Sequence, residues 1–313
     1  MHLTTWWGCA ILILYKMHNA VHFAVEWINN RFLVMLQSLS ALCIKFAERR
    51  EPSVEDVRFD IGAYLHRIGM EMPLQADLDT LKQLTRAHLL AVPFENMAVC
   101  DEHKEPSLEP EDLFAKVVGN NRGGYCFELN KCFYLLLKGL GYDCYPIPAR
   151  VIHNRPEPCG ISHRATVIRI DGKHYFGDVG FGGAGPKGIL ALDTEEIQVV
   201  AGEQFRVRPE GDSYVISILE PTGLENVLRI HDYPWQEPDF LTLNRFYATY
   251  HGSPFKNKRI LYRSNPQGWV SLTDKVFTVK ENGVKTVQTL ESEEQVAAVI
   301  RQYFGLEIPV CTQ

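Results

Sequence analysis

The spacing of apolar residues changes once along this chain, and that change limits the folds open to it. Over residues 60–140 the apolar positions follow helical spacing, as in amphipathic helices of a bundle. Over residues 145–243 short runs rich in β-branched and aromatic residues alternate with Gly, Pro and Asp turns, which is typical of antiparallel strands. The remaining stretch mixes strands with one helix that Ser292 is expected to cap. The order predicts an α+β protein.

The composition is that of an average globular chain and excludes several classes of protein. Of the 313 residues, 46% are apolar and 22% are charged, unlike a disordered, collagen-like or coiled-coil protein. The net charge of −6 argues against nucleic acid as the main partner, and an anionic ligand would need a local site. Eight cysteines without a C-x-x-C pair fit neither a zinc ribbon nor a disulfide framework. We therefore expect a cytoplasmic protein with reduced thiols and no catalytic metal.

The first 50 residues differ from the rest because they are rich in aromatic and aliphatic side chains. They show neither the positive start nor the small-residue cleavage site of a signal peptide. Charged residues interrupt the apolar run that a membrane span would need, at Lys16, Glu26, Arg31 and Lys45. A peripheral membrane segment stays open, but we favour an appendage or a start site placed too early. On that interpretation a protein beginning near Val54 keeps full activity.

Residues 121–130 place a cysteine where a helix is expected to begin. Gly123-Gly124 permit a sharp turn, and Cys126 follows in the first turn of an apolar helix. Backbone N–H groups at a helix start lack partners and carry partial positive charge, which favours a thiolate and can hold an oxyanion. Cys126 is therefore either a nucleophile or a small buried apolar residue, as most free cysteines are. Taken alone, Glu128 is expected to be a first-turn acid and Asn130 an amide on the helix surface.

A predicted hairpin brings a histidine and a carboxylate together. Asp171-Gly172 lies between two strand-like runs and predicts a two-residue turn, with Ile170 opposite Lys173. In that register His163 and Asp178 are diagonal neighbours on one face, about 7–8 Å apart at the backbone. A nucleophilic thiol needs such a base and a group that orients it. A three-residue turn would separate the two, leaving a core histidine and a turn carboxylate.

Other candidates fit this chemistry less well. His153 lies outside the hairpin, and His174 is about 13 Å from Asp178 along the same strand. The glycine-rich run at 177–186 lacks the Gly-Lys-Ser/Thr of a Walker loop. It is either a backbone site for a pyrophosphate or a flexible loop. Phe94 is expected to pack in the core.

Together these motifs resemble the arylamine N-acetyltransferases. The matching stretches are 88–96, 121–130, 162–163 and 178–182, with a weaker match at 251–257. The resemblance covers about 59 to 306 and implies a helical bundle, an antiparallel β-barrel and an α/β lid around a cysteine-protease-like Cys-His-Asp core. It divides the chain into an appendage and linker (1–55), the bundle with the nucleophile (56–142), the barrel with His and Asp (143–243) and the lid (244–313).

The resemblance also implies the chemistry. Cys126, His163 and Asp178 would form a catalytic triad for ping-pong acetyl transfer from acetyl-CoA to an arylamine or hydrazine, as in xenobiotic metabolism. Neither a metal nor a nucleic-acid or membrane partner is expected. Phe94 and Phe127 would line the amine site. The residues expected near CoA are Gly180, Phe181, Gly182, Gly183 and Ser253.

Three other functions remain open at this point. Some members of the same family close macrocyclic amides, and the triad does not distinguish them. A thiol hydrolase or transglutaminase-like enzyme uses the same Cys-His-Asp order. An inactive binding protein is a third possibility, although the three triad residues argue against it.

Overall fold

The structure is a computed structural model that describes residues 59–72, 74–183 and 185–308. The predicted appendage at 1–55 lies outside these residues, so its interpretation stays a prediction. Helices fill the first described part, as expected, with bounds α1 (Ile61–Arg67), α2 (Leu78–Ala91), α3 (Met97–Cys100), α4 (Pro110–Phe114) and α5 (Cys126–Gly139). A π-helical turn at Ala115–Gly119 extends α4. Asp60 and Asp77 cap α1 and α2 by accepting backbone N–H bonds, which satisfies donors that the first turn leaves free.

An eight-stranded antiparallel sheet follows the helices and forms a nearly closed barrel. Its strands run in the order β5-β4-β3-β2-β9-β8-β7-β6. Their bounds are β2 (Asp143–Val151), β3 (His163–Ile170), β4 (Lys173–Gly177), β5 (Leu190–Ala191), β6 (Gln198–Val200), β7 (Glu203–Glu210), β8 (Ser213–Glu220) and β9 (Gly223–Ile230). The side-chain amide of Gln198 donates to and accepts from the backbone of Ala191, which links the two end strands. Val167, Phe176, Phe205 and Ile216 are among the residues that fill the interior.

The predicted turn and register of the β3–β4 hairpin are confirmed. Ile170 lies opposite Lys173, and the pairing continues without a shift to Thr166 opposite Gly177. Asp171 and Gly172 take positive φ angles of 51° and 75°, as a two-residue turn of this hand requires.

The expectation of strands up to residue 243 is wrong, because a helix, α6, occupies Glu237–Thr249. Its start carries helix signals that the surrounding strand pattern obscures: Pro238 lies in the first turn, and Asp239 accepts the backbone N–H of Gln236. Its buried residues Phe240, Asn244 and Ala248 recur every fourth position, which is helical spacing. The predicted boundary between 243 and 244 therefore falls inside this helix.

A second sheet lies in the last described part. It has the order β1-β10-β11-β12-β13. The bounds are β1 (Phe94–Glu95), α7 (Pro254–Asn257), β10 (Ile260–Asn265), β11 (Gly268–Thr273), β12 (Val276–Glu281), β13 (Val284–Thr289) and α8 (Glu293–Val299), which a π-helical turn at Ile300–Phe304 extends. Ser292 caps α8 by accepting the backbone N–H of Gln295, as predicted. Among the described helices, none combines the length and the apolar character that a bilayer crossing demands.

Candidate active site

Two glycines allow the chain to enter α5 with Cys126 at its first position. A Cβ on Gly123 would lie 1.9 Å from the carbonyl oxygen of Pro93, and one on Gly124 would lie 2.8 Å from the Glu128 carboxylate. Only glycine tolerates both approaches. Cys126 is 2% exposed, and its backbone N–H is among those that the helix leaves without an internal partner.

A buried ion-pair cluster supports this turn from behind. Glu128 accepts the backbone N–H of Tyr125 at 3.0 Å and pairs with Lys116 at 2.7 Å. Glu95, also fully buried, lies 3.7 Å from Lys116 and 2.9 Å from Arg122. Burial raises the pKa of Glu128, and Lys116 opposes that effect. Glu128 is thus more than a first-turn acid, because it joins the start of α5 to the cluster.

His163, at the first position of β3, lies between the thiol and a carboxylate. Its Nε2 is 2.5 Å from Oδ2 of Asp178, which leaves Nδ1 for Cys126. Burial alone would lower the pKa of His163, but the Asp178 charge and a hydrogen bond with the Cys126 side chain raise it to about 10. The imidazole is therefore cationic at neutral pH, next to the sulfur. A positive charge in that place favours the thiolate.

Asp178 is 1% exposed and keeps its charge because every side of it has a donor. Its Oδ2 faces His163. Its Oδ1 accepts one hydrogen bond from Asn130 Nδ2 at 2.9 Å and another from the backbone N–H of Gly180 at 2.8 Å. Burial would raise the pKa of Asp178, but His163 and these donors hold it below its usual value. The carboxylate can therefore orient His163 and balance its charge.

The expectation that Asn130 is a helix-surface amide is wrong, because Asn130 is fully buried. It lies four residues after Cys126 and so on the same face of α5. Its Nδ2 also donates to the carbonyl of Arg164 at 2.5 Å, and its Oδ1 accepts the N–H of Val179 at 3.0 Å. That spacing from Cys126 was the one sequence signal that could have found it.

A cavity of about 230 Å³ opens onto the thiol and the imidazole. Besides Cys126 and His163, the predicted residues that line it are Phe94, Gly180, Phe181, Gly182 and Gly183. Phe181 meets His163 edge to face, with ring centroids 5.3 Å apart. A Cβ on Gly180 would lie 2.9 Å from Cα of Cys126, so this glycine allows the two segments to pack closely. The lining residues that we did not assign to a site from the sequence are Val151, His153, Arg155, Ser162, Phe255 and Ile260.

The structure does not bring Phe127 or Ser253 to the wall of this cavity. Phe127 is fully buried and stacks on Tyr247, with centroids 6.1 Å apart. Adjacent helix positions point about 100° apart, so Phe127 and Cys126 project from different sides of α5. Ser253 caps α7 and donates to the carbonyl of Tyr247 at 2.6 Å.

Among the described residues, no group of three or more His, Cys, Asp or Glu side chains is placed to hold a metal ion. The site places a buried thiol, a cationic imidazole and a carboxylate side by side in space, in that order. The first backbone N–H groups of α5 add donors for an oxyanion. This combination suits acyl transfer through a covalent thioester.

Comparisons with known proteins agree with that chemistry. A profile of the N-acetyltransferase family matches residues 77–311. An arylamine N-acetyltransferase of Escherichia coli is 29% identical over 79% of this chain and 89% of its own length. The proansamycin X synthase of Amycolatopsis mediterranei is 28% identical over 77% of this chain and 95% of its own length. The structure of Mycobacterium marinum arylamine N-acetyltransferase in complex with CoA superposes with a TM-score of 0.75 at 27% identity, covering 79% of this chain and 92% of that one.

Proposed function

Because this chain belongs to the arylamine N-acetyltransferase family, whose members use acetyl-CoA, we propose that it acetylates arylamines and hydrazines in two steps through Cys126. Cys126 is the nucleophile, His163 moves the proton, and Asp178 orients His163. The geometry that supports this proposal most directly is the grouping of three buried side chains, with Asp178 2.5 Å from His163 and with His163 and Cys126 lining the same cavity.

In the first step the Cys126 thiolate attacks the carbonyl carbon of acetyl-CoA. The N–H groups at the start of α5 hold the oxyanion of the tetrahedral intermediate. The bond between that carbon and the CoA sulfur then breaks, and the departing thiolate takes the proton from His163. Cys126 is left as its acetyl thioester, and CoA departs as the free thiol.

In the second step the amine nitrogen attacks the acetyl-cysteine carbonyl. His163, now neutral, accepts a proton from the nitrogen, and the carbon–sulfur bond breaks to release the amide. The thiolate and the imidazolium of the resting enzyme are restored together. Asp178 stabilises the imidazolium and keeps Nδ1 directed at the sulfur.

Mass spectrometry after incubation with acetyl-CoA alone tests this proposal. We expect one acetyl group on the peptide that contains Cys126, and its loss when an arylamine is added. Cys126→Ala should take up no acetyl group, whereas Cys132→Ala, which removes a buried thiol elsewhere on α5, should behave as wild type. Normal turnover of an arylamine by the Cys126→Ala protein would contradict the proposal. Cleavage of amides without CoA would favour a thiol hydrolase.

A further inference from the structure

Helix α6 contacts the neighbours of both the nucleophile and the base. The side chain of Asn244 accepts a hydrogen bond from the hydroxyl of Tyr125, the residue before the nucleophile. Glu237, the first residue of α6, pairs at 2.6 Å with Arg164, the residue after the base. Tyr247, near the end of the helix, reaches both segments with one side chain. A change at Tyr247 therefore acts on both segments at once.

The ring of Tyr247 packs against the segment that carries the nucleophile. It stacks on Phe127, the residue after Cys126, with ring centroids 6.1 Å apart and ring planes at 27°. Phe127 is fully buried, and the hydroxyl of Ser253 donates to the backbone carbonyl of Tyr247 at 2.6 Å. Aromatic pairs at this separation add to the stabilisation that burial provides. The ring is thus held against the first turn of α5.

The hydroxyl of Tyr247 holds the segment that leads into the base. It donates to the carbonyl of Ile161 at 3.1 Å. Ile161 precedes the ladder between β2 and β3, in which His163 belongs to the terminal pair. The next residue, Ser162, presents its carbonyl oxygen 4.0 Å from Sγ of Cys126. The bond from Tyr247 thus holds the chain where it passes the sulfur, just before the base.

We propose that Tyr247 is a positioning residue for the reaction, whose ring and hydroxyl together hold the segment before His163 in place beside Cys126. This inference rests on the proposed function and adds a residue to it. A thiol and its base must lie within hydrogen-bond reach of each other, so a small displacement of either slows proton transfer. Asn130 joins the helix of the nucleophile to the barrel through Asp178 at 2.9 Å. Tyr247 supplies a second link between them, through α6.

Tyr247 acts through its neighbours and not on a substrate. Within the part of the chain that the structure describes, it is not one of the residues that line the cavity. Its ring meets Phe255, which does line the cavity, edge to face with centroids 6.0 Å apart. Removing the whole ring would therefore disturb the cavity wall as well as the link. Removing the hydroxyl alone deletes the bond to Ile161 and leaves the ring contacts in place.

Tyr247→Phe tests the proposal because it keeps the ring and deletes the donor to Ile161. Tyr250→Phe is the matched control, since it removes the same atom from the C-cap of the same helix, where the residue is 43% exposed. For each protein we measure the rate at which acetyl-CoA acetylates Cys126, and the steady-state kcat and KM with an arylamine. We also measure how fast iodoacetamide alkylates Cys126 at about pH 6 and at about pH 9. Thermal unfolding reports the stability of each protein.

We expect acetylation of Cys126 to be about fivefold slower in Tyr247→Phe, with a similar fall in kcat and an unchanged KM, as the loss of one hydrogen bond predicts. Activity should persist because the N–H of Ser162 still donates to the carbonyl of Ala149 at 3.1 Å. Alkylation at about pH 6 should fall by a similar factor relative to alkylation at about pH 9, because at the lower pH the thiolate depends on the imidazolium beside it. Tyr250→Phe should match wild type in every measurement.

Three results would overturn the inference. A lower unfolding midpoint with wild-type acetylation and alkylation would limit Tyr247 to a structural contribution. A raised KM for the amine with a normal rate of Cys126 acetylation would mean that Tyr247 acts on the cavity wall through Phe255. An equal loss in Tyr250→Phe would show that the effect is not specific to Tyr247.

The alkylation comparison separates this inference from the proposed function, because it needs neither acetyl-CoA nor an amine. A wild-type protein that takes up no acetyl group would overturn the proposed function. The alkylation rates of wild type and Tyr247→Phe would still decide whether Tyr247 positions the base beside the thiol.

Discussion

Asn130 donates a hydrogen bond to Oδ1 of Asp178 over 2.9 Å and so joins the helix of the nucleophile to the carboxylate that faces the base. The two residues come from different layers, α5 and the segment after β4. Asn130 bonds the carbonyl of Arg164 and the N–H of Val179 as well, which fixes the amide in one orientation. Asn130 thus helps to hold Asp178, and through it His163, against the helix that carries Cys126.

Asn130→Ala should lower the catalytic rate because it removes that link. Asp178 would retain the donors His163 and Gly180 but lose the amide, and its carboxylate would be freer to turn away from His163. We expect kcat/KM to fall by about tenfold or more, since hydrogen bonds to charged groups contribute about 1.5–3 kcal/mol. Steady-state kinetics measures this, and thermal unfolding separates it from global loss of fold. A wild-type rate in the variant would show that the link does not position the triad.

Asp178→Asn should lose far more activity while keeping the fold. The side chain keeps its shape, and an amide oxygen can still accept the bonds from Asn130 and Gly180. Its NH₂ group would then face Nε2 of His163, which favours the wrong tautomer and removes the charge that stabilises the imidazolium. We expect a loss of about 10²–10⁴ in kcat, by analogy with triads in general. An unfolding midpoint near that of wild type is the control, and an undiminished kcat would remove Asp178 from the mechanism.

The pKa of His163 predicts a pH-dependent stability. Asp178 and Cys126 raise that pKa from its ordinary value of 6.5 to about 10 against the effect of burial. The stabilisation is complete below the unfolded-state value of 6.5 and is lost as pH rises towards 10. The free energy of unfolding should therefore fall over this range more steeply in wild type than in His163→Gln.

Urea denaturation of both proteins at several pH values between these limits measures the difference. Lys187, whose pKa burial lowers to about 8, is present in both proteins, so the comparison isolates what depends on His163. Parallel slopes would mean that His163 is not held as a cation in the folded state.

The sequence predicted the parts of this site that depend on local rules. Asp171-Gly172 determines a two-residue turn and, through it, the register that puts His163 and Asp178 on one face. The two glycines before Cys126 likewise predict a sharp turn into a helix. These signals need only a few neighbouring residues, so a single sequence is enough to interpret them.

The missed features depend on contacts between distant residues. Asn130 and Asp178 are 48 positions apart, and only the four-residue spacing from Cys126 indicates which face of the helix Asn130 occupies. The start of α6 was missed for a similar reason, because the contacts that stabilise it come from residues far away in the sequence. Glu237, its first residue, pairs with the fully buried Arg164 at 2.6 Å, and Phe240 packs against the same guanidinium at 4.4 Å. The burial that stabilises this helix comes from β3, which the local pattern does not show.

Lys187, the residue after the glycine-rich run at 177–186, supports the wall of the cavity. It is 6% exposed, and its ammonium donates to the carbonyls of Gly183 and Gly185, the latter at 2.9 Å. It also lies 4.4 Å from the ring centroid of Tyr262 and 5.5 Å from that of Phe181. Carbonyl oxygens and ring faces both stabilise a cation, so this one side chain ties the cavity wall to the second sheet.

Lys187→Met should therefore loosen the wall next to His163. Methionine has a similar length but leaves both carbonyls without a donor, which we expect to lower the free energy of unfolding by about 1–3 kcal/mol. Because Phe181 and Gly183 line the cavity, KM should rise by more than kcat falls, whereas a mutation of the triad lowers kcat. Lys187→Arg, which keeps the charge, should recover part of the loss. Unchanged KM values for both substrates in a destabilised Lys187→Met protein would limit Lys187 to a purely structural contribution.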